Sequence, residues 1–453
     1  MSDLLQRPIN RRGLLAGAFA AGATAALVGP AGALATSPGD AGKTEKRPAA
    51  TFFAEPGLNF QMLFALGAAG YAASEVGEVL ATFDRIHGKG DTLRSVNEEF
   101  LRLGRQLRQR GEKERGAGRT DSARLCFLRA AMYLDQALFY ALASKTPTRH
   151  HEGVLYREME GAWASAAALF KPRFEPVRIP WAGGTVPGWF LSPGSGRRPT
   201  VILNNGSDAQ NIDMYVYGGA AALERGWNAL IIEGPGQGAN LFLHNQPFIP
   251  DWERVITPVV SWLRAHPKVE KRRIALAGQS FGGYLTARAA AFEHRLAGLV
   301  TDPGVTDAFI SWSENLKALL PLLNHGKKAE FNEYWKKYVI DQADEYERVG
   351  LEKRLEIYGN GSTYDQLKLA QKFKLKRGVA RRISAPTAIL SPELEQFFPG
   401  QPETLHGWLG KRGTLVKFTV AEGAEYHCEP MAPQLRNERV FDWLETHALR
   451  SPR

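Results

Sequence analysis

The residues with the clearest chemical potential lie in the stretch IALAGQSFGGY at 274–284, where Ser280 is flanked at two positions on either side by Gly278 and Gly282. A strand-like run precedes this serine, and the helix-like run YLTARAAAF follows it. Gly-x-Ser-x-Gly between a strand and a helix is typical of a strained turn that exposes a nucleophilic hydroxyl, because small residues allow strand and helix to approach closely. We therefore predict that Ser280 is a nucleophile, and a purely structural turn is the alternative.

A serine hydroxyl is a weak nucleophile at neutral pH and needs a neighbouring base that accepts its proton. His427 lies in the segment AEGAEYHCEPM, after the last strand-like run and before the final helix-like run. When the nucleophile, the acid and the base follow one another in this order along the chain, the base lies in the loop after the last strand. Most of the other histidines lie in polar connections or beside helices, so we predict that His427 is the base.

An acidic side chain must hold the histidine in the correct tautomer, and the segment PTAILSPELEQFFPG supplies two candidates, Glu393 and Glu395. Glu395 is followed four positions later by Pro399, a spacing common in the acid loop of such enzymes, whereas Glu393 is not. We place Glu395 first and keep Glu393 as the alternative.

Attack on a carbonyl group creates a negative oxygen that needs preorganised amide donors. The amide of Phe281, directly after the nucleophile, is the expected first donor. The second donor is expected from the polar loop NNGSDAQN, where Gly206 permits a tight turn and either Ser207 or Asp208 presents its N–H.

These residues need a sheet to position them, and eight short apolar runs after residue 171 have the character of strands. The first two are close enough to form a hairpin, and most later ones are separated by helix-length intervals, as parallel strands require. We predict an α/β fold with an eight-stranded, mostly parallel sheet. The runs lie at 176–181, 186–192, 200–205, 228–233, 273–277, 296–302, 386–391 and 414–420.

Helical periodicity dominates two further parts of the chain. Residues 51–170 show long helical patterns without strand-like runs, which predicts an N-terminal helical domain ahead of a sheet domain at 171–453. A second helical segment, at about 306–378, interrupts the sheet domain and is too long for a single crossover. We predict that this insertion forms a lid over the edge of the sheet.

The first residues have the pattern of an export signal. Arg11 and Arg12 precede an apolar run rich in Ala and Gly, and a processing site follows at Ala35. We predict a twin-arginine-type signal peptide at 1–35, a disordered linker at 36–50, and a periplasmic or extracellular protein with no stable membrane span after processing. A permanent membrane anchor is the alternative.

Composition argues against several other classes of protein. Two cysteines, Cys126 and Cys428, predict neither a disulfide framework nor a cysteine metal site. The net charge is +10, and the basic stretch 368–382 lacks the aromatic ladder or zinc spacing of a nucleic-acid-binding site. The segment EGPGQG at 233–238 lacks the Lys and Ser/Thr of a phosphate-binding loop. We expect no cofactor and no metal.

Several segments together resemble the α/β hydrolase superfamily, and within it the 2,6-dihydroxypseudooxynicotine hydrolase group, which includes fungal pigment hydrolases that shorten polyketides. The resemblance covers residues 51–450 and rests on ALERGWNALIIEGPGQG, GQSFGGYLTAR, EQFFPGQ and EGAEYHCEPM. It implies a serine hydrolase that holds a small-molecule substrate between sheet and helices, often as a homodimer. Carbon-cleaving members use an extra acid near the nucleophile, for which the candidates here are Asp302, Asp307 and Glu314.

Together the residues predict an exported serine hydrolase that uses Ser280, His427 and Glu395 and an acyl-enzyme to cleave an ester, an amide or an activated ketone. A hydrolase of carbon–carbon bonds in a β-diketone-like or polyketide substrate is the alternative within enzymes. A non-catalytic binding protein on a hydrolase fold is the alternative outside them.

Overall fold

In the computed structural model, which describes residues 51–449, the strand-like runs form one eight-stranded sheet. Strands β4, β6 and β7 are buried along their whole length, as expected for parallel strands covered by helices on both faces. The strands are β1 Glu175–Trp181, β2 Gly184–Leu191, β3 Arg198–Asn204, β4 Asn228–Ile232, β5 Val269–Gln279, β6 Gly298–Asp302, β7 Thr387–Pro392 and β8 Gly413–Phe418.

The strand order in the sheet is β1-β2-β4-β3-β5-β6-β7-β8. Strands β1 and β2 form an antiparallel hairpin, β2 pairs antiparallel with β4, and all later pairs are parallel. This sheet confirms the predicted fold class. Strand β5 begins at Val269, four residues before its predicted start, because its first half carries exposed charged side chains that hide the strand pattern.

Helices precede the sheet, as the periodicity of residues 51–170 indicated. Helix α3 packs along α4, where the rings of Phe100 and Tyr133 lie 6.0 Å apart. Trp163, on α5, is fully buried against the rings of Trp189 on β2 and Tyr215 beyond β3. These contacts join the helical segment to the sheet. Its helices are α1 Pro56–Gly67, α2 Val76–His87, α3 Leu93–Gly116, α4 Thr120–Phe139 and α5 Arg149–Ala167.

The connections between the strands provide the helices that cover the sheet. From β3 to β6 they contain α6 Asn211–Met214, α7 Ala220–Glu224, α8 Gly238–Phe242, α9 Glu253–Ala265 and α10 Gly282–Ala290. After β7 they contain α17 Gln401–Leu409, and α18 Pro433–His447 follows β8. Two short π-helical turns, Tyr215–Gly219 and Lys336–Ile340, interrupt this regular pattern.

The long interval between β6 and β7 forms a helical cover over the carboxyl edge of the sheet. Asp344 caps α14 and Ser362 caps α15, each with a capping box. Glu356 at the end of α14 is bonded both to Lys353 and to Arg149 of α5, so the cover is tied to the N-terminal helices. Its helices are α11 Ile310–Asn315, α12 Leu320–Asn324, α13 Lys328–Trp335, α14 Glu345–Glu356, α15 Thr363–Ala370 and α16 Arg377–Ala380.

Within residues 51–449, none of the helices combines the length and the apolar character that a membrane span requires. The predicted signal peptide at 1–35 and the predicted linker at 36–50 lie outside the described residues.

A pair of carboxyl groups lies where the helical segment meets the sheet. Trp189 Nε1 and Asn211 Nδ2 donate to Glu160 on α5, at 2.8 and 2.9 Å. Tyr156 donates its hydroxyl to Glu233, which follows β4. Burial and the neighbouring carboxylate raise the pKa of Glu160 to about 8, and burial raises the pKa of Glu233 to about 7.

We predict that this pair makes the protein less stable as pH rises. A raised pKa means that the folded state holds the proton more tightly than the unfolded chain does. The resulting stability is complete below the ordinary carboxyl pKa and is lost as pH rises through about 7 to 8. Urea titrations of Glu160→Gln between about pH 5 and 8 should therefore give a flatter stability profile than the wild type.

Glu158→Gln is the matched control on the same helix. Its hydrogen bonds with Arg105 lower the pKa of Glu158, so it titrates below this pH range. If the stability profiles of Glu158→Gln and Glu160→Gln were equally flat with pH, the pH dependence could not be attributed to the pair of Glu160 and Glu233.

Candidate active site

Ser280 lies in the turn between β5 and α10, at residues 278–282, which we call the elbow. Its backbone is in the left-handed region, with φ of 58°, which is strained for a residue with a side chain. Close backbone approach explains the two glycines of the motif. A Cβ on Gly278 would lie 2.2 Å from the carbonyl oxygen of Gly282, and a Cβ on Gly282 would lie 2.7 Å from that of Asn205.

The elbow is fixed by its neighbour in the sheet. The amide of Ser280 donates to the carbonyl oxygen of Asp302, at the end of β6, over 2.5 Å. The Ser280 hydroxyl oxygen then lies 2.9 Å from Nε2 of His427. The structure thus brings together the predicted nucleophile and the predicted base, which are 147 positions apart in the chain.

Glu395 completes the arrangement from the loop after β7. Both of its carboxylate oxygens lie 2.9 Å from Nδ1 of His427. The backbone amides of Phe397 and Phe398 donate to the same carboxylate, at 2.9 and 3.0 Å, and hold it in place. Because His427 and Glu395 are both nearly buried, water competes little for these hydrogen bonds.

The alternative acid, Glu393, lies elsewhere. Its amide continues the sheet by donating to the carbonyl of Phe418, and its carboxylate accepts the amide of Val420 at 3.0 Å. Strand β7 ends at Pro392, so the chain turns between the two glutamates, and only Glu395 reaches His427.

The loop after β3, residues 205–210, lies against the elbow and is called the β3 loop below. A Cβ on Gly206 would be 2.7 Å from Cβ of Ser280 and 3.0 Å from the amide nitrogen of Phe281. The hydroxyl of Ser207 donates to the carboxylate of Asp208 at 2.7 Å. The three residues predicted to supply amide donors, Phe281, Ser207 and Asp208, line the same cavity as Ser280.

A cavity of about 1070 Å³, partly open to solvent, lies above Ser280 and is called the elbow cavity. The sheet edge, the N-terminal helices and the helical cover all contribute to its walls. Nine of the described residues that line it are aromatic, and apart from Phe281 sequence reasoning did not identify them because each looks like an ordinary core position. They are Phe60, Phe64, Phe139, Tyr217, Phe281, Trp312, Tyr358, Phe397 and Phe398.

Two cations from helix α14 also line the elbow cavity. Arg354 lies over the ring of Trp312, 4.0 Å from its centroid, and donates to the hydroxyl of Ser311 at 2.8 Å. Burial lowers the pKa of Arg354 to about 10. Burial also disfavours the charge of Lys353. Nearby carboxylates, above all that of Glu356 at 2.8 Å, have the larger effect and raise the pKa of Lys353.

Acidic side chains line the same cavity as these cations. Burial raises the pKa of Asp208 and raises that of Asp213 to about 6. Burial also raises the pKa of Asp135, with the charge of Asp213 adding to the effect. No local pattern predicts this cluster, because its charges come from three separate segments and the residues of α14 have the pattern of a polar surface helix.

The extra acids suggested by the resemblance take other positions. Asp302 is fully buried behind the elbow and pairs with Arg436 at 2.9 Å. Asp307 pairs with Lys374 at 2.7 Å. Neither lines the elbow cavity. The side chain of Glu314 lies outside the described residues. Among the residues that are described, no three His, Cys, Asp or Glu side chains converge to hold a metal ion.

The sheet order, the elbow after β5 and the loops that follow β7 and β8 are those of the α/β-hydrolase fold, and the chain is similar over most of its length to proteins named hydrolases. A hydrolase from Fusarium sp is 29% identical over 439 residues, which cover 88% of this chain and 97% of the relative. A 20-hydroxy-prefusarin hydrolase from Gibberella moniliformis is 25% identical over 87% of this chain and 97% of its own. No family model matches the chain.

Solved structures show the same fold. The crystal structure of 2,6-dihydroxy-pseudo-oxynicotine hydrolase superposes with a TM-score of 0.62 and 21% identity, covering 84% of this chain and 95% of its own. The wild-type AbyA5 structure gives a TM-score of 0.55 and 18% identity, covering 85% and 93%. The predicted resemblance to this superfamily and group is thereby confirmed.

We predict different outcomes for the two glutamates of the acid loop. Glu395→Gln should lower kcat for an ester substrate by roughly 10²- to 10⁴-fold, because the amide favours the wrong tautomer of His427. Glu393→Gln, the matched control two positions away, should stay within about threefold of the wild type, since its partner is a backbone amide. Steady-state kinetics on the purified variants would test this, and a larger loss in Glu393→Gln would exchange the two roles.

Proposed function

We propose that the protein is an exported serine hydrolase that cleaves an ester, an amide or an activated ketone through an acyl-enzyme. The proposal rests on one observation, the hydrogen-bonded chain from Ser280 through His427 to Glu395 at the floor of the elbow cavity. Its distances of 2.9 Å are within the reach that proton transfer requires.

In the first half of the proposed reaction, His427 Nε2 accepts the hydroxyl proton while Ser280 Oγ forms a bond to the substrate carbonyl carbon. Glu395 stabilises the imidazolium that forms. The amide of Phe281 and one amide of the β3 loop stabilise the negative oxygen. When the bond to the leaving group breaks, His427 returns the proton to that group and the acyl-enzyme remains.

In the second half, water takes the place of the leaving group. His427 accepts a proton from the water molecule, whose oxygen attacks the acyl carbon. The bond between that carbon and Ser280 Oγ breaks, and His427 gives the proton back to the serine. One water molecule is consumed, and a carboxylic acid is released.

The shape and lining of the elbow cavity support a bulky, largely apolar small molecule as substrate. A wall of aromatic side chains with a few polar and charged groups is the lining typical of pockets that bind such ligands. Arg354 and Lys353 add positive groups to the lining of this cavity, where they would bind a carbonyl or an acidic group of the substrate.

Cleavage of a carbon–carbon bond next to a ketone is the second candidate, and Asp208 favours it. Its carboxyl group belongs to the β3 loop and lines the elbow cavity, and burial raises its pKa. A protonated acid at this position would donate a proton to the carbon that leaves when such a bond breaks. Comparing aryl esters with β-diketones as substrates of the purified protein would separate the two reactions.

We predict that Ser280→Ala abolishes turnover of small acyl esters and labelling by a fluorophosphonate, because both need the Ser280 oxygen as nucleophile. Folding should persist, since the backbone hydrogen bond of Ser280 is kept. Ser261→Ala, an exposed position on α9, is the control and should label like the wild type. Ester turnover by Ser280→Ala would remove Ser280 from this role, and an unlabelled, inactive wild type would favour a binding protein.

The proposal that the protein is exported rests on the sequence of residues 1–35 alone. We predict that replacing both arginines, as Arg11→Lys with Arg12→Lys, keeps the protein in the cytoplasm of a bacterial host with twin-arginine export, because that route requires the arginine pair. Fractionation and immunoblotting would measure this. Arg7→Lys, a nearby arginine outside the pair, is the control, and equal export of the paired variant and the control would contradict the proposal.

A further inference from the structure

Gln237 lies in the turn EGPGQG after β4, next to the β3 loop, and is almost fully buried. Its Nε2 donates to the carbonyl oxygen of Asn205 at 2.8 Å and to that of Gly206 at 3.0 Å. Its Oε1 accepts the amide of Gly234 at 2.9 Å. Two acceptors at one end and a donor at the other fix the orientation of this side-chain amide.

The two carbonyl groups held by Gln237 belong to consecutive peptides. In a trans peptide the C=O and the following N–H point in opposite directions. When Asn205 and Gly206 turn their carbonyl oxygens toward Gln237, the amides of Gly206 and Ser207 therefore point away from it. Successive N–H groups that point to one side form a concave site for an anion.

The elbow lies next to these amides. Gly206 is in contact with Ser280 Cβ and with the amide nitrogen of Phe281, as the lack of room for a Cβ there shows. The hydrogen bonds among residues 51–449 include none donated by the backbone amide of Ser207 or of Phe281. Both donors are thus available for a substrate oxygen at the mouth of the elbow cavity, which Ser207 and Phe281 line.

The turn that carries Gln237 is itself held firmly. Gly236 donates its amide to the carbonyl of Gln246, and Ala239 donates to the carboxylate of Glu233. Asn240 donates to the carbonyl oxygens of Thr185 and Glu233, at 3.1 and 3.0 Å. Gln237 therefore connects a rigid turn to the β3 loop.

We propose that Gln237 is a positioning residue of the reaction, which orients the Ser207 amide as the second donor to the negative oxygen by holding the carbonyl groups of Asn205 and Gly206. The inference rests on the proposed function of Ser280. It also selects Ser207 over Asp208 as the donor, since the Ser207 amide belongs to the peptide that Gln237 holds through Gly206.

The test compares Gln237→Met with Asn240→Leu. Each variant removes two hydrogen bonds that a buried side-chain amide donates to backbone carbonyls of the same region, and Gln237→Met also removes the one that Gly234 donates. Of the two side chains, Gln237 alone bonds to the β3 loop. With 4-nitrophenyl butyrate as probe, Gln237→Met should lose about 10- to 100-fold in kcat with KM within about threefold, because the donor acts in the transition state. Asn240→Leu should lose a similar amount of thermal stability, with kcat within about twofold of the wild type.

A transition-state analogue gives a second readout. An aryl trifluoromethyl ketone forms a hemiketal oxyanion with the nucleophile, so its inhibition constant in Gln237→Met should rise by the same factor as kcat falls. Equal kcat losses in Gln237→Met and Asn240→Leu, or a change confined to KM, would overturn the proposal. A wild type that neither hydrolyses the ester nor labels with a fluorophosphonate would instead overturn the proposed function itself.

Gln237→Glu tests the direction of the hydrogen bonds. Its carboxylate would repel the two carbonyl oxygens, whereas its protonated form would donate one hydrogen bond to them. The ratio of its kcat to that of the wild type should therefore rise as pH falls. A ratio that does not change with pH would count against a donor role for Gln237.

Discussion

The close approach of three backbone segments at the elbow is the constraint on which the rest of the site depends. Strand β5, helix α10 and the β3 loop meet where a Cβ on Gly206, Gly278 or Gly282 would collide with backbone or side-chain atoms. Ser280 lies at the centre in a left-handed conformation, held by the carbonyl of Asp302. Because strand β6 supplies that carbonyl, the parallel sheet fixes the strained turn and directs the hydroxyl toward His427.

Local sequence patterns were enough to predict the sheet and to nominate the three side chains. Each belongs to a short segment with its own signal: the elbow for Ser280, and loops after the last two strands for Glu395 and His427. Choosing between Glu393 and Glu395 required the path of the backbone, because both follow the same strand and differ only in where the chain turns. Side chains that meet from distant segments left no such local signal. Lys353 and Arg354 look like surface charges of a polar helix, and Gln237 looks like part of a tight turn.

Buried charge is concentrated in two places around the site. Behind the elbow, Asp302 pairs with the guanidinium of Arg436, and burial together with the charge of Asp302 raises the pKa of the buried Glu429 well above its usual range. In front of it, Lys353 and Arg354 face acids whose pKa values burial has also raised. Removing charges from water is costly unless partners compensate them, so both clusters are places where single substitutions would disturb the fold as well as the chemistry.

The bond between Arg149 and Glu356 has a consequence for how a molecule reaches Ser280. It joins the N-terminal helices to the helical cover, and Glu356 is also held by Lys353 on the inner side. The helical cover and the N-terminal helices therefore cannot move apart without breaking an ionic contact whose Glu356 side chain is buried. We therefore expect substrate and product to pass through the part of the cavity that is already open to solvent. A compound that fits this closed arrangement would be accepted more readily than one that needs the two parts to separate.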